Sequence, residues 1–285
     1  MEFLSLPLGR WVNVGVDWLT VNLAVFFDTI SDVIRVILTN LEYFLYWLPW
    51  PVVIAIFVLI AWRVTGWRVA LFVAAGLYFM GALGLWEASM TTLALIITAV
   101  AISLLIGIPL GIVAARYNAV WAVLRPVLDA MQTIPSFVYL IPAIMFFGIG
   151  NVPGVIATVI FAVPPAVRMT NLGIREVSSD VVEAAVSFGS TARQLLTKVQ
   201  LPLARPTIMA GVNQTIMLAL SMVVVAGLVG AGGLGEQIVR ALGHVDVGRG
   251  TEAGLAILVI AIILDRITMT LGRRKKKRGI AWQGA

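Results

Sequence analysis

The segment "VEAAVSFGSTARQLLTKVQLPLARPTI", residues 182–208, is the part of the sequence that decides the fold. Its four charged side chains are Glu183, Arg193, Lys198 and Arg205. Nevertheless, the runs on either side of it, near residues 152–170 and 207–232, are apolar and close to the ~20 residues that a helix needs to cross a bilayer. An amphipathic segment between two membrane spans predicts an exposed loop, which is either a docking surface for another protein or an ordinary connection between the spans.

Two short helices are predicted inside this loop. Asp180 and Glu183 have the Asp-x-x-Glu form of a helix start, in which the Asp180 side chain accepts a hydrogen bond from a free backbone amide. Gly189 is expected to end the first helix, because glycine readily adopts the left-handed conformation that closes a helix.

The second helix has a Thr-x-x-Gln start at Thr191 and Gln194, and we expect Pro202 and Pro206 to end it. A DNA-reading helix-turn-helix has a similar local pattern. That interpretation fails because membrane spans lie close on both sides, so the second helix could hardly enter a groove about 12 Å wide. We therefore expect no nucleic-acid partner.

The composition of the whole chain is that of an integral membrane protein. Its 285 residues are 60% hydrophobic and only 12% charged, and the mean hydropathy is +1.01. Soluble domains carry about 25% charged residues, so part of the solvent must be lipid. We predict an all-α integral membrane protein with about seven spans. These lie near residues 48–62, 69–86, 89–115, 137–150, 152–170, 207–232 and 252–271.

The basic run "RRKKKR", residues 273–278, follows the last apolar segment and marks a cytoplasmic end. Counting back through the spans places the N-terminus outside. Of the 20 Lys and Arg residues, sixteen then fall on the inner side and four on the outer side, as the positive-inside rule requires. The four outer residues are Arg10, Arg35, Arg240 and Arg249.

Residues 1–47 have a different pattern from the spans. The apolar residues that recur there at spacings of three and four are Phe27, Ile30, Ile34, Ile37 and Leu41. Three charged residues on another face, Asp28, Asp32 and Arg35, would each cost roughly 2.5–3.5 kcal/mol at mid-bilayer. We expect an amphipathic helix that lies along the outer membrane surface or packs on the spans.

The sequence offers little to catalysis or to metal binding. It has no Cys and a single His, His244, which excludes thiolate metal sites and leaves almost nothing for a catalytic triad. "GAGGLG", Gly230 to Gly235, matches a dinucleotide fingerprint, but a lipid-length helix precedes it, so we predict a glycine-rich turn. No Gly-Lys pair occurs, and the phosphate loop of ATPases is therefore absent. We expect a chain that is not itself an enzyme and binds no metal or cofactor.

Polar groups also occur inside the sixth predicted span, where lipid cannot satisfy them. They are Asn213, Gln214 and Ser221, with the soft side chain of Met222 beside them. Such groups face other helices or a passage for a solute. Both interpretations stay open for each residue.

The loop resembles the coupling loop of ABC importer permeases. The family pattern is Glu-Ala-Ala, three residues, Gly, nine residues, Ile, one residue and Leu-Pro. The matching residues here are Glu183, Ala184, Ala185, Gly189, Val199, Leu201 and Pro202, with Val199 in place of Ile as the only departure. The resemblance implies a type I ABC importer transmembrane domain, whose loop sits in a cleft of a cytoplasmic ATPase subunit and transmits its closure. ATP and Mg²⁺ would then be bound by that partner.

A wider resemblance covers nearly the whole chain. "MQTIPSFVYLIPAIMFFGIG" (131–150), "VIFAVPPAVRMTNLGIREV" (159–177) and "NQTIMLALSMVVVAGLVGAGGLG" (213–235) are similar to the permease subunit of glycine betaine/proline betaine importers. This implies ATP-driven uptake of osmoprotectants across a bacterial cell membrane. The implied partners are a second copy of the chain, ATPase subunits, an external binding protein and membrane lipids.

The resulting organisation has three parts. Residues 1–47 form an external interfacial segment, residues 48–272 a permease domain with its coupling loop at 175–206, and residues 273–285 a basic cytoplasmic tail. Permeases for choline or an amino acid remain alternatives within this class. A carrier driven by an ion gradient is the alternative from another class, although it should show intramembrane carboxylates or inverted repeats.

Overall fold

The computed structural model describes residues 7–273, and most of the predicted basic tail, residues 274–285, lies outside them. Helices make up all the regular secondary structure of the described residues, as predicted. The α-helices are α1 (Leu8–Asn22), α2 (Ala24–Trp47), α3 (Trp50–Val64), α4 (Trp67–Ala82), α5 (Trp86–Arg116), α6 (Asn118–Thr133), α7 (Leu140–Phe147), α8 (Asn151–Arg175), α9 (Ser179–Ser187), α10 (Ala192–Gln194), α11 (Leu201–Ala226), α12 (Leu234–His244) and α13 (Val247–Arg273). Two 3-10 turns, Ser136–Tyr139 and Gly227–Val229, and a π-helical segment, Leu195–Gln200, complete them.

Four helical segments of the described chain are long and apolar enough to cross a membrane. They are Trp86–Arg116, Asn151–Arg175, Ala192–Val229 and Val247–Thr270. Two bent pairs bring the number to as many as six, where about seven spans were expected. The difference is α4, which has 16 residues and belongs to neither pair, whereas α3, with 15 residues, is counted only together with α2. At about 1.5 Å per residue, each is shorter than a hydrocarbon core of about 30 Å.

Prolines explain both bent pairs. The angle between α2 and α3 is 104°, and the angle between α6 and the segment Ser136–Phe147 is 107°. Leu48 precedes Pro49 and Ile134 precedes Pro135, and both preceding residues have extended backbones. A proline ring disfavours the helical conformation in the residue before it, and at Leu48 and Ile134 the backbone has left that conformation, so each helix ends there. The predicted span 137–150 is thus the second half of a broken helix.

Helix α8 forms the centre of the bundle, between α5 and α11. Its contact with α5 is made by glycines, since a Cβ built on Gly107 would lie 2.6 Å from Cβ of Ala166. A Cβ built on Gly111 would lie 2.6 Å from Cβ of Thr170. The two glycines are four residues apart, which is the spacing that lets membrane helices approach closely. This packing fixes the end of α8, from which the coupling loop starts.

Helix α2 packs on the bundle, which was one of the two expectations for the N-terminal segment. Its buried residues include Ile34 and Leu38, whereas the predicted Ile37 is 45% exposed. The ring of Phe27 stacks on that of Phe146 in α7, with centroids 4.6 Å apart. The buried side of α2 therefore includes Leu38, where the sequence pattern predicted Ile37.

The "GAGGLG" segment is a turn between α11 and α12, as predicted. Gly233 has a φ of 88°, a conformation that favours glycine. The backbone N–H of Gly232 donates to Oδ1 of Asn151 over 2.8 Å, and the N–H of Leu234 donates to Oγ1 of Thr92 over 2.8 Å. The turn thus ties together the ends of α5, α8 and α11 that lie far from the coupling loop.

Candidate coupling site

The first helix of the predicted loop is α9, and its start differs from the expectation. Ser178 is the residue at the N-cap and no side chain caps the helix there. The predicted cap by Asp180 is therefore wrong, because Asp180 already belongs to the first turn of the helix. At that position its carboxylate still interacts favourably with the positive end of the helix dipole.

The turn at Gly189 is confirmed. Gly189 has a φ of 77°, its N–H donates to the carbonyl of Val186 over 2.8 Å, and the N–H of Ser190 donates to the carbonyl of Ala185 over 3.1 Å. These two bonds define a Schellman motif, which closes a helix on a left-handed residue. No neighbouring atom of the described chain lies within 4 Å of a Cβ built on Gly189.

The start of the second helix is also confirmed. The N–H of Gln194 donates to Oγ1 of Thr191 over 3.3 Å, and the N–H of Thr191 donates to Oε1 of Gln194 over 2.9 Å. This reciprocal pair is a capping box, which satisfies two backbone donors that a helix start leaves free. The loop thus turns sharply at Gly189 and re-enters a helix at once.

The predicted end of the second helix at Pro202 and Pro206 is wrong. The helix instead continues through the π-helical segment Leu195–Gln200 into α11, so that Ala192–Val229 forms one continuous 38-residue element. A proline removes a donor and its ring clashes with the carbonyl four residues earlier. A π turn inserts one extra residue and widens the helix locally, which accommodates Pro202 at the start of α11.

The residues of the coupling motif fall on two parts of this structure. Glu183, Ala184 and Gly189 are exposed on α9 and its turn, and Ala185 is half-buried there. Val199 and Leu201 are half-buried and Pro202 is exposed, in the π-helical segment and at the start of α11. The structure thus joins an exposed surface directly to a membrane span.

Apolar side chains on α9 have no cover within the described chain. No residue of α9 is buried, Val186 is 54% exposed and the neighbouring Phe188 is 91% exposed. Phe188 was not among the predicted site residues, although an aromatic residue directly before a turn glycine was a usable signal. At 91% exposure, this ring is the most exposed of the large apolar side chains among the described residues.

Arg175 anchors the start of the loop, which the sequence did not reveal. Its Nε donates to Oδ1 of Asn171 over 2.8 Å, and its Nη2 donates to the backbone carbonyl of Ala114 over 2.8 Å. The second bond occupies a carbonyl in the last turn of α5 that would otherwise lack a helix partner. The ends of α5 and α8 are therefore held together beside the loop.

The four residues of the predicted path do not form one site. Asn213 is bound by α13, since its Nδ2 donates to Oδ1 of Asp265 over 3.1 Å and its Oδ1 accepts from Oγ1 of Thr268 over 2.6 Å. Met222 is fully buried in a cluster that includes Tyr139. These two residues join helices within the chain.

Gln214 and Ser221 lie on a different face of α11. Both are exposed, seven residues apart, and therefore on one side of the helix. The Ser221 hydroxyl donates to the carbonyl of Met217 over 3.1 Å, and Met217 is exposed on the same side. This surface, which we call the α11 stripe, consists of Ala210, Gln214, Met217 and Ser221.

The chain is similar to known proteins in both sequence and fold. Residues 107–277 match the family described as binding-protein-dependent transport system inner membrane component. The glycine betaine/proline betaine transport system permease protein ProW of Escherichia coli is 49% identical over 96% of this chain and 77% of its own length. The glycine betaine transport system permease protein OpuAB of Bacillus subtilis is 48% identical over 97% of this chain and 98% of its own.

A solved structure supports the fold. A chain of the MetNI methionine ABC transporter, in an inward-facing conformation, superimposes with a TM-score of 0.58 at 22% identity. The superposition covers 64% of this chain and 92% of the MetNI chain. The helical bundle is therefore the type I ABC importer fold, and an inner-membrane, multi-pass location follows from the family. The chain belongs to the family of binding-protein-dependent transport system inner membrane components.

Proposed function

We propose that this chain is the permease subunit of an ATP-driven importer of glycine betaine, proline betaine and similar osmoprotectants. The observation that supports the substrate is that relatives named for betaine transport are about half identical to this chain over at least 96% of its length. The observation that carries the mechanism is the exposed α9 with its Schellman turn, joined without a break to a span.

In this proposal α9 and its turn dock into a cytoplasmic ATPase subunit. Glu183 to Gly189 provide the exposed contact, and Val199, Leu201 and Pro202 pass its movement to α11. ATP and Mg²⁺ are bound by the ATPase subunit, since the sequence of this chain has no phosphate loop. Closure of the ATPase then moves a rigid helix rather than a flexible tether, because α10 to α11 is continuous.

Two copies of the chain are proposed to face each other across the α11 stripe. Gln214 and Ser221 are exposed on a helix of lipid-crossing length, and amide groups in hydrocarbon are unfavourable. A second copy would remove them from lipid and create a polar passage between the copies. This arrangement also provides two coupling loops for two ATPase domains.

The proposed docking to a cytoplasmic ATPase also sets the orientation of the chain in the membrane. The basic tail and the coupling loop are placed in the cytoplasm, and the N-terminal segment is placed outside. A binding protein delivers the solute to that outer side. The described part of the N-terminal segment, residues 7–47, lies at the outer membrane surface with α2 packed on the bundle, and residues 48–272 form the permease domain.

The experiment is uptake of labelled glycine betaine into proteoliposomes that contain this chain, its ATPase and its binding protein. We expect uptake that requires ATP on the ATPase side and that unlabelled proline betaine suppresses. Stimulated ATP hydrolysis without betaine uptake would redirect the substrate to choline or an amino acid. Uptake that follows an ion gradient and ignores ATP would refute the proposal.

A further inference from the structure

An aromatic cavity lies at the end of the bundle opposite the coupling loop. Its volume is about 580 Å³, within the range of about 300–1,000 Å³ that is usual for small-molecule sites. The four aromatic residues that line it are Tyr46, Trp50, Tyr78 and Trp86. They come from four different helices, α2 to α5.

The bend between α2 and α3 and a glycine in α4 create the space of this cavity. The bend at Pro49 turns α3 away from α2, and the space between them is floored by Leu77, which is 4% exposed. Gly81 contributes no side chain to the wall, and a Cβ built on it would lie 4.0 Å from the ring of Trp86. Trp86 is half-buried, whereas Trp50 is 55% exposed at the open side.

A polar cavity of about 460 Å³ adjoins it at Tyr46, which lines both. Three glutamates, Glu42, Glu87 and Glu236, line this second cavity, and Glu236 is paired with Arg240. Glu42 and Glu87 belong to no ion pair within residues 7–273. No Lys or Arg of that range lines either cavity, so the charged side chains beside the aromatic cavity are the glutamates of its polar neighbour.

Aromatic rings with glutamates beside them favour one type of cation. Aromatic faces attract cations electrostatically, but a metal ion or a primary ammonium would lose strong hydration in a largely apolar cavity. A quaternary ammonium group is weakly hydrated and covered by methyl groups, so it gains apolar burial together with the attraction of the rings and carboxylates. Aromatic anchors at a membrane surface need no shared cavity, whereas these four side chains line the same one.

We infer that the aromatic cavity is a binding site for a quaternary ammonium group, either of a free solute or of a choline-type lipid headgroup. The site belongs to α2–α5 and is separate from the α11 stripe. The inference is independent of the proposed function, because binding needs neither an ATPase nor a binding protein. Failure of transport and failure of this site are therefore distinguishable.

The test uses the purified chain in nanodiscs of phosphatidylethanolamine and phosphatidylglycerol, with labelled choline as the probe. We expect saturable binding that tetramethylammonium displaces and that equal concentrations of Na⁺ or lysine do not. Trp86→Leu should weaken binding about 5- to 30-fold, from the usual strength of one cation–π contact. Gly81→Leu should abolish it by filling the cavity while all four rings remain.

Gly15→Leu is the matched control, because no atom lies within 4 Å of its Cβ position and it lines neither cavity. The lipid source is tested by native mass spectrometry after reconstitution with equal phosphatidylcholine and phosphatidylglycerol. Selective retention of phosphatidylcholine that Gly81→Leu removes would assign the site to a headgroup. The inference is overturned if neither choline nor phosphatidylcholine binds, or if both Trp86→Leu and Gly81→Leu leave binding unchanged.

Discussion

At the scale of single residues, Gly189 is the position where, in the proposed mechanism, the turn contacts the ATPase subunit. We expect Gly189→Asp to abolish coupled uptake and to reduce stimulation of the ATPase at least tenfold. Aspartate tolerates the left-handed conformation better than most residues, and no atom of the described chain lies within 4 Å of its Cβ. The variant should therefore fold normally and fail only where a partner approaches the turn. Uptake and ATP hydrolysis in proteoliposomes measure the two effects.

Gly189→Ala is the companion variant for that experiment. It adds one methyl group but places a residue without a polar side chain at a φ of 77°, which costs about 1–2 kcal/mol. We expect lower thermal stability of the loop with partial transport. Normal uptake together with normal ATPase stimulation in Gly189→Asp would contradict the coupling role of the turn.

A second residue-scale prediction concerns Gly111, at the crossing of α5 and α8. A Cβ there would lie 2.6 Å from Cβ of Thr170 and 2.7 Å from the carbonyl oxygen of Val167. We expect Gly111→Ala to destabilise the chain by about 1–3 kcal/mol through overpacking, measured as thermal unfolding in detergent. Gly254→Ala in α13 is the control, because its Cβ position is free and alanine favours a helix. Equal stability of the two variants would contradict the close crossing.

At the scale of elements, the turn at Gly189 and the capping box of the second helix were predictable, whereas the start of α9 and the continuity of the helix into α11 were not. Gly189 and the Thr191–Gln194 pair act within one turn, so their sequence pattern contains the information that determines them. Pro202 was misread because a proline signals a helix end only where the chain can leave the helix. Here the span that follows holds the helix in place, and the strain is absorbed by the π-helical segment Leu195–Gln200.

Helix α1 carries the prediction that belongs to this scale. Trp11 and Trp18 are each 60% exposed and lie on one side of α1, whereas Asn13 and Thr20 lie on the opposite side. We expect α1 to lie in the membrane interface with the tryptophans toward lipid. A nitroxide at position 18 should then collide with oxygen, which concentrates in lipid, and one at position 20 with a water-soluble nickel complex. Equal accessibility of both positions would place α1 outside the membrane.

At the scale of the whole molecule, composition was enough to predict a helical membrane protein, and the motif was enough to predict its class. The number of spans and the role of the polar residues required the structure. Asn213 and Gln214 are neighbours in the sequence, yet one bonds to α13 and the other is exposed. Which of two adjacent positions faces a helix depends on how the helices are arranged around α11, and this is not encoded near either residue.

The α11 stripe provides the last prediction, which concerns the assembly. These 285 residues contain no cysteine, so a single introduced cysteine reports one position without ambiguity. We expect Ser221→Cys to form a cross-linked dimer with a short bismaleimide in membranes, because in the proposed dimer the stripe of each copy faces that of the other. Leu105→Cys is the control, since Leu105 is 74% exposed on α5, away from the stripe. Cross-linking at position 105 and none at 221 would move the contact between copies to α5 and would leave Gln214 and Ser221 without the partner that their polarity requires.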